Sequence, residues 1–463
     1  MTKAFAHQTQ SIKHNDKTNR VFDCSDPGTG KTFVRIMAFA KRRAHGGGAL
    51  LVLAPRSLLR SVWANDVRKF APHLTVSVAN ADGRAQAFAA EADIYVTNVD
   101  AVKWLAQQKP AFFKRFSELV VDESTAYKHH TSQRSKAAAK IARYFEYRCC
   151  MTGTPNSNSI TDIWHQAMIL DAGERLGNSF FRFRDAVCTP TQVGRQAQMV
   201  KWHDKEGAEE VVFGLLADIV IRHRFEDCVD IPPNHKYEVE YEMTAKQLAT
   251  YCEMEYTQML KLKDKSMSAV NAAAVRTKLL QIASGAVYDG MGGCEVVDTA
   301  RYEMVMDLVE QRKHSLVFFL WKHQRDALIT EAERRGLSYC VYDGDANDRQ
   351  RAEMEQGYQA GVYRVMIAHP QSAAHGLTLT RGTATIWSSP TDNLEHFAQG
   401  SKRQHRMGQT EKTETIVVIA KGTVDEAAYD NMMGKEIRMG NLLGLFATSK
   451  QMPKKRNKEL ETA

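Results

Sequence analysis

The sequence predicts an α/β protein of two lobes with parallel sheets, plus helical insertions between the motifs of the two lobes. The first observation is a series of short, mainly apolar runs between residues 20 and 155, each separated from the next by a helical pattern. Such runs are typical of strands in parallel sheets covered by helices on both faces. The second observation is that this alternation returns near residue 300. With 463 residues, the chain is long enough for both lobes.

Each predicted strand is mainly apolar, with any charged residue at its end, and the strands are separated by helical patterns. In chain order, the predicted strands are residues 50–53, 93–97, 119–122, 148–151, 316–320, 338–342, 364–368, 385–387 and 415–419. Between the two series, apolar stripes with helical spacing predict helices at residues 163–170, 211–221, 246–263 and 269–282. Aromatic and basic residues are concentrated between 180 and 202, and helix packing is the favoured interpretation of that aromatic stripe.

Composition narrows the class of protein. Hydrophobic residues make up 43% and charged residues 25% of the chain, which is ordinary for a soluble globular protein. The net charge of +8 is compatible with a polyanionic partner. The eight cysteines lack paired metal-ligand spacing, which indicates free thiols in a reducing compartment. Neither a signal peptide nor a run of about 18 apolar residues is evident, so we expect a cytoplasmic location and no membrane partner.

A glycine-rich loop at residues 24–32 (CSDPGTGKT) organises the first lobe. Its glycines let the backbone approach phosphate oxygens, and the following helix N-terminus offers unpaired N–H groups. Lys31 would neutralise the β- and γ-phosphates of a nucleotide, and the Thr32 hydroxyl would bind Mg²⁺. Ser25 replaces the first glycine of the strict phosphate-loop pattern. An ordinary glycine-rich turn is the alternative interpretation.

Two further loops follow strands of the same predicted sheet. Asp122 and Glu123 end an apolar run; the first could bind Mg²⁺ through water and the second could polarise an attacking water. Thr152 and Thr154 follow the next run. They could sense the acidic pair and transmit the state of the bound nucleotide to a groove that binds nucleic acid. Ligands bind beyond the carboxyl ends of such strands, so we expect these loops to meet the glycine-rich loop there. Taken alone, each loop is also compatible with a helix cap or a turn.

In the second lobe, residues 399–409 (QGSKRQHRMGQ) place Arg403 and Arg406 three residues apart, on one face of a predicted helix. Two guanidinium groups there could stabilise the charge on a transferred γ-phosphate when the lobes close. A solvated basic helix is the alternative interpretation of this charge run.

Together, these motifs resemble helicase superfamily 2 motors of the Swi/Snf type, in the compact form found in bacteria and phages. The resemblance extends over residues 5–434 and also includes residues 51–59 (LVLAPRSLL), 221–224 (IRHR) and 231–233 (IPP). It implies that both lobes are RecA-like. The implied domains are a first lobe at 1–170, its helical insertion at 171–230, a linker and helical protrusion at 231–298, a second lobe at 299–446 and a basic, disordered tail at 447–463.

The resemblance also implies ATP and Mg²⁺ as cofactors and a role for each matching residue. Those implied to bind ATP are Gln8, Pro27, Gly28, Thr29, Gly30, Lys31, Thr32 and Gly376. Mg²⁺ would be held by Thr32 and Asp122. The catalytic residues would be Lys31, Asp122, Glu123, Arg403 and Arg406. DNA phosphates would be contacted by Arg56, Ser57, Thr97, Asn98, Trp321, Lys322 and Ser372, and coupling of ATP to DNA would involve Thr152, Thr154 and Gln399.

The implied function is an ATP-dependent motor that hydrolyses ATP and translocates on double-stranded DNA without sequence specificity, remodelling protein–DNA or branched DNA structures. A strand-separating or branch-migrating helicase and a catalytically idle DNA-binding clamp are the open alternatives. A phosphate-loop kinase is disfavoured because a single lobe would suffice for it. The expected partners are nucleic acid and DNA-processing proteins, and we expect a monomer in a bacterial cell or a phage-infected host.

Overall fold

The computed structural model describes residues 4–193, 199–263, 269–289, 293–373 and 377–448. The chain divides into two compact units. The first comprises Met1–Asp230 together with Lys435–Ala463, and the second comprises Ile231–Gly434. No helix among the described residues is long and apolar enough to span a membrane.

The first unit is built on a parallel sheet. The strands described in it are, in chain order, β1 Arg20–Asp23, β2 Ala49–Ala54, β3 Val76–Ala79, β4 Ile94–Asn98, β5 Phe116–Asp122, β6 Tyr147–Met151, β7 Cys188–Gln192, β8 Val200–Asp204 and β9 Val220–Ile221. The sheet has the order β3-β4-β2-β5-β6-β1-β9, with neighbouring strands parallel. Strands β7 and β8 form a separate antiparallel hairpin.

Helices cover this sheet, and the strand side chains at its centre are buried. Every residue of β2 is buried, and Trp63 packs with them in the core. The helices are α1 Ala6–Asn15, α2 Lys31–Ala44, α3 Asn65–Phe70, α4 Arg84–Ala89, α5 Val102–Leu105, α6 Pro110–Phe113, α7 Gln133–Ala142, α8 Asp162–Asp171, α9 Phe180–Val187, α10 Ala208–Leu216 and α11 Phe225–Cys228. Shorter turns are π-helical at Leu59–Ala64 and 3₁₀-helical at Ala81–Gly83, Val99–Ala101 and Ser124–Tyr127.

The second unit repeats the architecture. Its described strands are β10 Asn234–Tyr241, β11 Ala286–Tyr288, β12 Cys294–Val296, β13 Ser315–Phe318, β14 Tyr339–Tyr342, β15 Val365–Ala368, β16 Ala384–Trp387 and β17 Thr413–Ala420. The parallel sheet has the order β10-β17-β16-β13-β15-β14, and β11 pairs antiparallel with β12. The helices are α12 Ala245–Lys263, α13 Ala269–Ala283, α14 Ala300–Glu310, α15 Lys322–Arg334, α16 Asp348–Ala360, α17 Pro370–Ala373, α18 Leu394–Ser401 and α19 Val424–Thr448.

The predicted fold class, two lobes with parallel sheets, is confirmed. The predicted helix at 211–221 is wrong at its end, because α10 stops at Leu216 and residues 220–221 join the sheet as β9. The hairpin of β7 and β8 was not predicted. The finer division at residues 170, 298 and 446 stays a prediction. The expected disordered tail is wrong at its start, because residues 447 and 448 end helix α19, and its remainder lies outside the described residues.

From Lys435 onward, α19 belongs to the first unit. Within that unit, Phe446 packs against Phe213, with ring centroids 5.8 Å apart. Leu442 and Leu443 on the same helix are buried. The first unit is therefore completed by residues about 200 positions beyond its main segment, which ends at Asp230.

Candidate functional site

The glycine-rich loop joins β1 to α2 at the carboxyl edge of the first sheet. Gly28 and Gly30 have φ angles of 91° and 82°, in the left-handed region that residues with a Cβ disfavour. A Cβ on Gly30 would lie 2.3 Å from Nε2 of Gln8, and one on Gly28 would lie 3.0 Å from the Phe225 ring. Both positions therefore favour glycine because of the backbone conformation, and a side chain at Gly30 would also displace the Gln8 amide from its present position.

Lys31 is the first residue of α2, and its ammonium group turns back into the loop. Its Nζ donates to the carbonyl oxygens of Ser25 at 2.8 Å and Asp26 at 3.2 Å. The N-terminus of this 14-residue helix adds open N–H groups and a positive dipole end. Thr32 follows in the first turn and is half-buried. The arrangement is suited to an anionic oxygen ligand such as a phosphate.

Helix α1 covers one side of the loop. Gln8 Nε2 donates to the carbonyl oxygen of Thr29 at 3.3 Å, and Nε2 of His7 lies 2.8 Å from the same oxygen. Gln8 Oε1 accepts the backbone N–H of Phe5 at 3.0 Å. The structure thus places Gln8 directly against the loop, with both ends of its amide engaged by the protein.

The acidic pair lies at the end of β5, on the same edge of the sheet. The Trp63 indole donates to Oδ2 of Asp122 at 2.9 Å, and the Glu123 backbone N–H donates to Oδ1 at 3.1 Å. Burial raises the pKa of Asp122, whereas the indole and the charge of Lys31 oppose that rise. Glu123 has a φ angle of 51°, an uncommon conformation for a residue with a Cβ.

The loop after β6 touches the glycine-rich loop. The backbone N–H of Thr152 donates to the Asp23 carbonyl at 3.0 Å, and the Thr154 N–H donates to the Thr152 hydroxyl at 3.1 Å. A Cβ on Gly153 would lie 3.0 Å from Cδ of Pro27. Because strands β5, β6 and β1 are adjacent, their three loops meet at one edge, as the sequence predicted.

The predicted DNA-contacting residues of this unit differ in exposure. Arg56 and Ser57 are exposed after β2, and Asn98 is half-buried. Thr97 is fully buried, and its hydroxyl donates to the Ala79 carbonyl at 2.7 Å. Its side chain therefore stabilises the neighbouring strand, so we do not carry it into the DNA-contacting set.

The two arginines of the second unit lie in turns and not on a helix. Helix α18 ends at Ser401, so the predicted helical face is wrong. The guanidinium groups nevertheless converge: Nη1 of Arg403 and Nη1 of Arg406 donate to the Leu377 carbonyl at 3.3 and 2.7 Å. Arg403 is only 3% exposed and also donates to the carbonyl of the buried Gln399 at 2.8 Å. Arg406 is half-buried.

The other predicted residues of this unit lie near helix N-termini. Trp321 is half-buried immediately before α15, Lys322 is the exposed first residue of that helix, and Ser372 is half-buried in α17. Burial lowers the pKa of the adjacent His323 to about 4. Gly376 lies outside the described residues.

Comparison with known families decides what these motifs belong to. The family model described as the SNF2-related domain matches residues 11–285, more than half of the chain. The chain belongs to the SNF2-related family. The helicase conserved C-terminal domain matches residues 300–408. This assignment confirms the resemblance and makes the protein a DNA-dependent ATPase with the two halves of a helicase-like motor.

Relatives of this SNF2-related protein include a phage protein and bacterial helicases. Protein p41 of Acyrthosiphon pisum secondary endosymbiont phage 1 is 29% identical, covering 88% of this chain and 91% of its own length. An uncharacterized ATP-dependent helicase of Mycoplasma genitalium is 24% identical over 86% of this chain, which spans only 38% of that helicase. The structure of Mycobacterium smegmatis helicase Lhr bound to ssDNA and AMP-PNP has a TM-score of 0.54 and 14% identity, covering 96% of this chain and 48% of that one. That likeness shows the fold alone.

The structure of this SNF2-related ATPase adds an ion pair that the sequence did not reveal. Nη1 of Arg222, just after β9, lies 2.6 Å from Oδ1 of Asp26 in the glycine-rich loop. Nη1 also donates to the Cys24 carbonyl at 2.9 Å, and the Phe225 N–H donates to Oδ2 of Asp26 at 2.9 Å. The segment after β9 thus fixes the glycine-rich loop through both oxygens of the Asp26 carboxylate.

A second contact links the turn that follows the acidic pair Asp122–Glu123 to the loop after β6. The Ser124 hydroxyl donates to Oε1 of Gln166 at 2.6 Å, and Nε2 of Gln166 donates to the Pro155 carbonyl at 2.7 Å. The amide of a buried residue on α8 therefore bridges the two loops. An isolated glutamine in a helical pattern carries no signal of such a role, so sequence reasoning missed it.

Proposed function

We propose that this protein is a motor that hydrolyses ATP in order to translocate on double-stranded DNA without sequence specificity. The observation that carries the proposal is the meeting of Lys31 and the Asp122–Glu123 pair at one sheet edge. Strand β6 separates β1 from β5, so the loop after β1 and the acidic pair after β5 share that edge. The charge of Lys31 acts on Asp122. This is the charge arrangement that phosphoryl transfer requires.

In this proposal, Gly28, Gly30 and the N-terminus of α2 bind the phosphates of ATP, and Lys31 balances their charge. The contacts of Lys31 Nζ with two loop carbonyls hold it where a phosphate oxygen would approach. Thr32 and Asp122 would hold Mg²⁺. The fit is favourable because burial raises the pKa of Asp122, and a nearby cation would offset the cost of its charge. Bound magnesium would supply neutralisation of phosphate charge.

Glu123 is proposed to polarise the attacking water. It supplies a second carboxylate immediately after the one assigned to the metal, and its left-handed backbone conformation is of the kind found at functional sites. Arg403 and Arg406 are proposed to stabilise the γ-phosphate in the transition state when the two units close. Their shared contact with the Leu377 carbonyl supports action as a pair. Gln8, together with Pro27 and Thr29 of the loop, would complete the nucleotide site.

For DNA, the proposed contacts are side chains and helix N-termini that can hold phosphates without reading bases. Exposed groups after β2 and at the start of α15 are consistent with that role, and a half-buried hydroxyl in α17 adds a hydrogen-bonding group. Thr152, Thr154 and Gln399 are proposed to couple nucleotide state to these contacts. The residues proposed for phosphate binding are Arg56, Ser57, Asn98, Trp321, Lys322 and Ser372.

The test is the ATPase rate without nucleic acid and with blunt duplex DNA, single-stranded DNA, forked DNA or RNA. We expect the largest stimulation by duplex DNA, with steep loss at higher salt. Displacement of a third strand from a triplex would report translocation without strand separation. Glu123→Gln should abolish ATP hydrolysis while ATP binding persists. The control Glu146→Gln, at an exposed position of the same unit, should leave the rate of ATP hydrolysis unchanged. Turnover that survives Glu123→Gln would remove the assignment of the base, and stimulation by RNA alone would remove DNA as the substrate.

A further inference from the structure

The hairpin of β7 and β8 stands apart from the parallel sheet of the first unit. After the buried Cys188, every residue of β7 is exposed, and the residues of β8 are exposed or half-buried. A two-stranded ribbon solvated on both faces is marginally stable on its own. The hairpin therefore contributes little to the hydrophobic core, and core packing does not account for its presence.

The base of the hairpin is fixed firmly. The Asp204 carboxylate accepts the Ser159 hydroxyl at 2.7 Å and the Ile160 N–H at 3.1 Å. Lys205 Nζ donates to the carbonyls of Asp185 and Ala186 at 2.8 and 3.0 Å. Ser159 and Ile160 follow the loop after β6, which touches the glycine-rich loop. The hairpin is thus anchored on a segment that reaches the ATP site.

Helix α9, immediately before the hairpin, presents an exposed aromatic ring. Phe181 is 60% exposed. The Arg184 guanidinium carbon lies 5.3 Å from the centroid of that ring and 3.5 Å from the centroid of the Trp202 ring on β8. Phe180 and His130, which stack on each other with centroids 3.7 Å apart, also meet the Phe181 ring edge to face, with centroids 5.8 and 6.1 Å from it. The exposed ring is therefore held in place by its neighbours, with an open surface for another planar group.

The charge around this ring is positive. Among the described residues of the segment 179–205, four are Lys or Arg and two are Asp. Both carboxylates are engaged, Asp185 with Arg184 at 2.8 Å and Asp204 with the backbone and hydroxyl described above. No acidic residue occurs between Glu123 and Glu146. Burial lowers the pKa of His130, and the charged groups that face it, Lys136, His129 and Arg184, are all cationic and lower it further.

We propose that α9 and the β7–β8 hairpin, here named the hairpin platform, bind the unpaired strand of a DNA fork. Phe181 would stack on one base, and the exposed Arg182 and Lys201 would contact phosphates. A stacked aromatic ring beside cations is the usual way in which proteins hold single strands without reading their sequence. Inside duplex DNA every base face is covered by the next base pair, so the platform favours the unpaired arm of a fork over the body of a duplex. This inference rests on the proposed DNA motor and adds a second contact for a different part of the substrate.

The experiment uses the full chain and three labelled DNAs: a blunt duplex, a fork with one single-stranded arm, and the single strand alone. Binding is measured by fluorescence anisotropy without ATP, and ATPase stimulation is measured in parallel. Phe181→Ala should weaken binding to the fork and the single strand about tenfold, the order expected for one stacked base. Binding and stimulation by blunt duplex should not change. Because the ring is mainly exposed, its truncation leaves the core intact.

Two further variants separate stacking from charge. Phe181→Trp keeps an aromatic face and should restore fork binding, whereas Arg182→Glu with Lys201→Glu should weaken it and reduce its salt dependence. Tyr256→Ala removes a comparably exposed aromatic, 65% exposed, from α12 and should have no effect. Equal losses for fork and blunt duplex, or unchanged fork binding in Phe181→Ala, would overturn the platform. If wild-type protein binds a single-stranded RNA arm but not the DNA arm, the assigned ligand is wrong. Failure of the motor proposal would differ, because no DNA would then stimulate hydrolysis in the wild type.

Discussion

Replacing Asp26 tests whether the segment after β9 positions the glycine-rich loop. The Asp26 carboxylate receives Arg222 Nη1 at 2.6 Å and the Phe225 N–H at 2.9 Å, and the two paired side chains are only 8% and 17% exposed. A hydrogen bond to a charged group contributes about 1.5–3 kcal/mol, and water can partly replace the two lost here. We therefore expect Asp26→Ala to lower the unfolding free energy by about 3 kcal/mol. Asp26→Asn, which keeps an acceptor but not the charge, should lower it by about 1.5 kcal/mol.

The same change should weaken ATP binding. A loop that is no longer braced must be ordered when nucleotide binds, so we expect the KM for ATP to rise about tenfold, with a smaller change in kcat. Urea unfolding gives the stability, and ATPase rates over a range of ATP concentrations separate KM from kcat.

A matched control is available in the same unit. Asp16 pairs with Lys41 at 2.7 Å, but these side chains are 36% and 54% exposed. Asp16→Ala should therefore cost less than about 1 kcal/mol and leave the KM for ATP unchanged. The reasoning is refuted if Asp26→Ala costs no more stability than Asp16→Ala, or if its KM for ATP equals that of the wild type.

Three further predictions follow from single residues. Gly30→Ala should lower ATP hydrolysis strongly because its Cβ, 2.3 Å from Nε2 of Gln8, would displace that amide from the loop. Gly46→Ala, at a φ of 86° with nothing within 4 Å, should lower the free energy of unfolding in urea by only about 1 kcal/mol and leave the activity unchanged. Arg403→Ala should lower both the melting temperature and kcat because this side chain is buried, whereas Arg406→Ala, at a half-buried side chain, should lower kcat alone. Equal melting temperatures for the two variants would contradict this difference in burial. The pKa of His323 is lowered to about 4, so between pH 4 and 6.5 this side chain binds fewer protons in the folded protein than in the unfolded one. Its contribution to the free energy of unfolding is therefore complete above pH 6.5 and is lost as the pH falls toward 4. From pH 7 to pH 5 this histidine alone should lower the free energy of unfolding in urea by about 2 kcal/mol, and that part of the pH dependence should be absent in His323→Gln.

The parallel sheets and the loops at their carboxyl edges could be predicted because their signals are local. A buried parallel strand must be apolar throughout, and a phosphate loop needs its glycines and lysine within a few residues of each other. The position of Asp122 relative to Lys31 then follows from strand order in such a sheet. The need for glycine at position 30 could be predicted for the same reason, because it depends on the backbone conformation of the loop itself.

The amino-acid sequence by itself thus determined the two α/β units, the family and the edge of the sheet where ATP is expected to bind. Only the tertiary structure decided which distant side chains support that edge. The pair of Asp26 with Arg222 joins residues 196 positions apart, and Thr97 proved to be buried against a neighbouring strand. The turns that carry Arg403 and the solvated hairpin after α9 also had no periodic signal. Periodicity records which face of an element is buried, whereas a specific contact depends on how separately formed elements pack, and no short stretch of sequence contains that information.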